Sequence, residues 1–274
     1  HTRSLCDWSS DVCSSDLFEI VREINLKYLM GDEILKFPIE VDKSMIENIF
    51  SNKPKIQIKK IAKEPRIGLV NGLFATALGV GGLTIIEAYK TPSDAFLSLV
   101  LTGQQGDVMQ ESVKCAKTIA WNLIPDDIKL ELKKKSLDKS NTFGVHIHCP
   151  EAATPKDGPS AGAAMTLCIL SLLLDIPVRN DVSMTGEIDL NGSIHAIGGL
   201  DSKVEGAKRA GAKLVLCPSQ NMDDLKKIRD SEHPIEDDEF KIITVESIWD
   251  VIEHAFVEND INFSKYIFPE CIDT

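Results

Sequence analysis

The chain has 274 residues, of which 43% are hydrophobic and 26% charged, with a net charge of -12; the length suits one domain with an appendage. The acidic surplus argues against a nucleic-acid footprint, which needs clustered Lys and Arg to displace counterions, and an aromatic share of 6% leaves few platforms for stacked bases. The longest nearly uncharged apolar run, residues 161–174, is shorter than the ~20 residues of a membrane span and reads as a buried helix, so no membrane partner is expected.

Residues 1–17 (HTRSLCDWSSDVCSSDL) have no apolar periodicity, and residues 6–10 and 11–17 back-translate to sequencing-adapter codons. They are read as a translated adapter joined to a truncated frame, expected to be disordered, and are left out of fold reasoning. Residues 18–29 (FEIVREINLKYL) read as a short helix. Residues 38–52 (PIEVDKSMIENIFSN) read as an extended start and then a helix capped near Asp42 or Ser44, and 53–63 as a basic linker. Runs 66–76, 81–90 and 96–103 are strand-like, the first two joined by a turn at Gly79, Gly81 and Gly82. A helix is expected over 107–121 with Val108, Ser112, Cys115 and Ile119 on one stripe, then a charged solvated face and loop over 125–140.

The second half alternates: strand 143–149, loop 150–158, a helix from Pro159 or Ser160 to Leu174, strand 182–188, a turn at Asn191 and Gly192, and strand 193–199. It continues with helix 201–211, strand 213–218, helix 221–228, strand 240–245 and helix 247–256. This pattern implies an α/β or α+β architecture with one mixed sheet. Seven cysteines without CxxC spacing, four of them inside apolar runs, point to reduced thiols in a cytosol-like compartment.

PKDGPSAGAAM, residues 155–165, carries the most chemistry. Gly158 and Pro159 form a tight approach to the apolar helix, which places the Ser160 hydroxyl among N–H groups that lack intrahelical acceptors. Amide donors and the helix dipole favour an oxyanion there, so Ser160 is a candidate nucleophile; read alone, a lone serine in such a loop is a capping or packing residue. Lys203, in the first turn of the 201–211 helix, becomes a candidate general base if burial favours its neutral form, and is otherwise a surface lysine. Asp157 is a candidate N-cap for the helix that follows it. His146 and His148 stand at i and i+2 on one strand face; with zinc-like spacing but no third ligand they read as ordinary polar-face residues, or as members of a Ser–His–Asp triad with Ser160 and Asp157.

PKDGPSAG together with MTGEIDLNGSIHAIGGLDSK downstream resembles the proteolytic domain of the Lon family of ATP-dependent serine proteases. GLVNGL, GGLTIIEA, LTGQQGDVMQES, AGAKLVLCP and NMDDL follow in the family's order. The resemblance implies a ribosomal protein S5 domain 2-like fold of the α/β, mixed-sheet class over residues 64–260. It implies a Ser160–Lys203 dyad, with Thr185 orienting the lysine and Asp157, Gly158 and Pro159 lining the site. It speaks against His146 and His148 as the base, and no metal is expected. It also implies unfolded or misfolded protein substrates, a homo-hexameric ring, and a bacterial cytoplasm or an organelle matrix. Residues 18–63 resemble the end of an AAA+ helical subdomain and its linker, and 261–274 form a tail. No GxxxxGK[ST] occurs, so ATP and magnesium are expected to bind a preceding part of the full-length protein and no cofactor is expected here.

Three departures from the family pattern stand out. Asp201-Ser202-Lys203 replaces KEK, GLFAT places Ala75 where GLAWT has Trp, and TPSDAFLS replaces a basic PGKGK loop. From the residues alone, two other readings compete with endopeptidase: a small-molecule kinase with a Gly/Ser phosphate loop, separable by ATP binding, and a catalytically silent assembly module.

Overall fold

A computed structural model describes residues 5–31, 38–51, 59–76, 79–137, 141–150, 156–231 and 234–257. The chain divides into two units, His1–Gln57 and Ile58–Thr274. The tail expected at 261–274 and most of the expected linker lie outside the described residues.

The first unit holds α1 (Leu5–Met30) and α2 (Lys43–Ile49). Helix α2 begins as anticipated, with the Met45 amide donating to Asp42 Oδ1 at 2.7 Å. Helix α1 opens at Leu5, so residues 5–17 of the stretch read as a translated adapter are helical here. No Gly or Pro interrupts residues 5–30, and the helix stops where Gly31 takes a positive φ of 72°.

The second unit is built on a seven-stranded mixed sheet of β1 (Leu69–Ala75), β2 (Gly81–Pro92), β3 (Leu99–Thr102), β4 (Phe143–His148), β5 (Val182–Met184), β8 (Leu214–Pro218) and β9 (Lys241–Val245). Their order is β3-β4-β2-β1-β5-β8-β9. Strands β1, β2 and β4 pair antiparallel, whereas β3–β4, β1–β5, β5–β8 and β8–β9 pair parallel. A separate short hairpin pairs β6 (Glu187–Ile188) with β7 (Ile194–His195).

One sheet face carries α5 (Gly162–Leu174), and α3 (Asp107–Leu123) and α8 (Ile248–Ala255) pack outside it. Because α5 lies between the sheet and these helices, all of its residues are buried and its sequence is apolar all round. The other face carries α6 (Leu200–Ala210), whose Leu200, Val204 and Ala207 share a smaller core with Leu225 of α7 (Met222–Arg229) and Phe240. The described cysteines Cys115, Cys149, Cys168 and Cys217 are free, and burial pushes the thiols of Cys149 and Cys217 up to about 11 and about 12.

Three elements differ from the sequence reading. The buried side of α3 is Met109, Ser112, Val113, Ala116, Ile119, Ala120 and Leu123, and Val108 is exposed. Small Ala116 and Ala120 let α3 lie against α5, which turns the stripe by about one residue. The charged stretch after it is a helix, α4 (Asp126–Leu137), with Leu132 buried. Its carboxylates at the first turn and lysines at the last suit the helix dipole, so a nearly all-surface helix forms with little apolar periodicity to announce it. Finally, the expected strand 182–188 is broken: β5 ends at Met184, the Thr185 amide still donates to Leu216 O of β8 at 3.1 Å, and Gly186 turns its backbone to the start of α5.

Candidate active site

The chain approaches α5 through Gly158, whose φ of 139° disfavours any residue with a Cβ. Pro159, Ser160 and Ala161 then form a single 3-10 turn before the α-helix begins at Gly162. Ser160 therefore opens a helical segment as anticipated, one turn earlier than the regular α-helix.

That turn is held on several sides. The Ser160 carbonyl accepts from the Gly186 amide at 2.8 Å and from the Thr185 hydroxyl at 3.2 Å. The Ala163 amide donates to Gly186 O at 3.1 Å, and Ser112 Oγ donates to Pro159 O at 3.4 Å. Gly162 is hemmed in: a Cβ there would stand 2.8 Å from Ile188 Cγ2 and 3.0 Å from Ser112 Oγ. The sequence pattern puts Ser112 on a stripe of α3 without this role, and Gly186 inside a continuous strand. An isolated glycine inside a strand pattern is the available signal for such a departure.

Lys203 sits one turn into α6 and is 4% exposed, the condition stipulated for a base. Burial lowers its amine from the usual 10.5 to about 8. Its Nζ donates to Thr185 Oγ1 at 3.1 Å. Thr185 has one hydroxyl proton and gives it to the Ser160 carbonyl, so the same oxygen accepts from the lysine and ties it to the serine turn. Ser160, Lys203, Asp157, Gly158 and Pro159 all line one cavity of about 570 Å³, whose walls include Phe74 and Met109.

Asp157 caps a helix, but not the one that follows it. Its Oδ1 accepts from the amide of Met109 in the first turn of α3 at 3.0 Å, and from Gly158 N at 3.0 Å. The 3-10 turn has no side-chain cap. The partner helix lies ~50 residues away in sequence, which is why the local reading chose the wrong one. Asp157→Ala is expected to cost about 1 kcal/mol, read as a lower urea midpoint at unchanged m-value.

His146 and His148 project from β4 away from Val145 and Ile147, as expected. Thr102 Oγ1 lies 2.9 Å from His146 Nε2 and 2.7 Å from His148 Nδ1. Neither histidine lines the cavity that holds Ser160, so the structure does not bring them together as a triad. Among the described residues no group of three His, Cys, Asp or Glu side chains is placed to hold a metal ion.

A serine on a helix-opening turn and a desolvated lysine in one cleft, linked by a threonine, have the parts needed for acyl transfer through a serine ester. Comparison with known proteins shows the family. The family described as the Lon protease C-terminal proteolytic domain matches residues 40–258, and the chain belongs to that family. It is 38% identical over 81% of its length to a Lon protease homolog of Acanthamoeba polyphaga mimivirus, covering 22% of that protein. It is 40% identical over 86% of its length to the Lon protease of Rickettsia felis, covering 28% of it. With the Lon protease of Campylobacter jejuni it shares 39% identity over 77% of its length and 26% of the relative's. The chain thus spans about a quarter of the curated relatives it matches.

Proposed function

We propose that this chain is the proteolytic part of an ATP-dependent serine endopeptidase that works through a Ser160–Lys203 dyad. The observation that carries the reading is the buried Lys203 amine, held on Thr185 in the cavity that Ser160 also lines. Neutral Lys203 takes the Ser160 hydroxyl proton, and Oγ attacks a peptide carbonyl. N–H groups at the start of the helical segment receive the negative charge that forms on the carbonyl oxygen. The lysine ammonium returns its proton to the departing amine, and water, deprotonated by the same lysine, hydrolyses the Ser160 ester. Thr185 fixes the direction of the amine.

Unfolded or misfolded proteins are the proposed substrates, a homo-hexamer the proposed assembly, and a cytoplasm or organelle matrix the proposed location. The sequence holds no GxxxxGK[ST] loop, so ATP and magnesium are assigned to the portion of the relatives beyond this chain, and the steps of cleavage do not pass through them. The reading is tested by incubating the chain with a peptidyl phosphonate diester, which phosphonylates activated serines. Peptide mass mapping is expected to place the adduct on Ser160 and to find it lost in Lys203→Met. An adduct on another residue, or one formed equally well without the lysine amine, sinks the dyad.

A further inference from the structure

Helix α6 crosses β2 with backbone against backbone. A Cβ built on Gly81 would overlap the Ser202 carbonyl and stand 2.8 Å from Lys203 N. One built on Gly206 would overlap the Gly81 carbonyl carbon and the Gly82 nitrogen, and lie 2.6 Å from Gly81 O. One turn further on, Arg209 Nη2 donates to Gly81 O at 2.8 Å. Ser202, Gly206 and Arg209 form one stripe of α6, and all three meet the same residue of β2. Lys203 is the neighbour of this stripe, and its amide belongs to the contact. Two absent side chains set how closely α6 lies on β2 at this point.

We propose that the Gly81–Gly206 seam is a positioning device for the base. By letting α6 sink onto β2 it carries the Lys203 amine out of water and to Thr185, so Gly81 and Gly206 act on the reaction through Lys203. The inference rests on the dyad reading for its functional meaning. The charged groups that share the cleft with Lys203 are Lys156, Asp157 and Glu187, and its neighbours on α6 are Asp201 and Glu205. The shift of the amine comes from burial alone, so its depth in the cleft is what tunes it.

The test uses the whole chain with ¹³C-labelled lysine and follows the Cε resonance of Lys203, assigned by its loss in Lys203→Met, as pH is raised. In Gly206→Ala the added methyl lifts α6, and the midpoint is expected to move up from about 8 by at least ~1 pH unit. Cleavage at pH 7 should then fall about tenfold per unit with KM nearly unchanged. Arg209→Met loosens the seam without adding bulk at the glycines, and should give a smaller upward move; it decides the matter if Gly206→Ala does not fold. Leu225→Ala, a cavity in the same core away from the seam, is expected to lower stability and leave the midpoint in place. A midpoint unmoved in the folded seam variants overturns the proposal, as does an equal move in Leu225→Ala. Seam variants that shift the midpoint in a chain whose wild type cleaves nothing would leave the seam standing and sink the endopeptidase reading instead.

Discussion

Ser160→Ala is expected to lower peptide-bond cleavage by about 10⁴-fold or more while leaving the thermal midpoint unchanged. The fold holds because the turn is anchored through main-chain atoms: the carbonyl of residue 160 still accepts from Gly186 and Thr185, and Pro159 O still accepts from Ser112. What disappears is the oxygen that attacks. Lys203→Ala should cost a similar factor, since a serine without its base and a base without its serine each break the same step. The double variant should therefore be little worse than either single one, the non-additivity expected of residues that act as a unit. Cleavage of a fluorogenic unfolded protein by all four chains decides it. Independent, multiplying losses, or equal turnover in all of them, would mean that the two residues do not share a step.

The parts of this site that could be read in the sequence are those made by local chemistry. Gly158-Pro159-Ser160 before an apolar run announces a helix-opening turn, and Lys203 after Gly198-Gly199 announces a lysine near a helix start; the structure places both there. The alternation of strand-like runs and helices likewise points to a mixed sheet, and the second unit is built on one. What the sequence left open depends on partners far along the chain. Asp157 caps α3 because the sheet brings the 107–109 turn beside it, and no local signal ranks that helix above the next one. The strand ends at Thr185 and Gly186 because the Thr185 hydroxyl and the Gly186 amide both go to the Ser160 carbonyl, a pairing invisible within MTGE itself. The Gly81–Gly206 seam is hidden for the same reason: each glycine alone reads as a turn or a weak helix position, and only the crossing of α6 over β2 gives either one a purpose.

Lys203→Met is expected to make the chain more stable at pH 7 even as it abolishes cleavage. The folded amine titrates at about 8 and the ordinary one at 10.5. Between those values the unfolded chain holds a proton that the folded chain has lost, so stability rises with pH across that window. Below about 8 both states are protonated, and the folded state carries the full cost of a charge held away from water, about 3 kcal/mol. Methionine fills similar space with no charge to desolvate, and Thr185 still donates to Ser160 O, so no buried donor is orphaned. Urea midpoints should favour the variant at pH 7 and converge with wild type by about pH 10.5, while wild-type cleavage climbs through about pH 8 as the amine becomes neutral. A variant less stable than wild type at pH 7 would mean that the fold stabilises the Lys203 ammonium, so that the amine is not lowered from 10.5 and does not become neutral near pH 8.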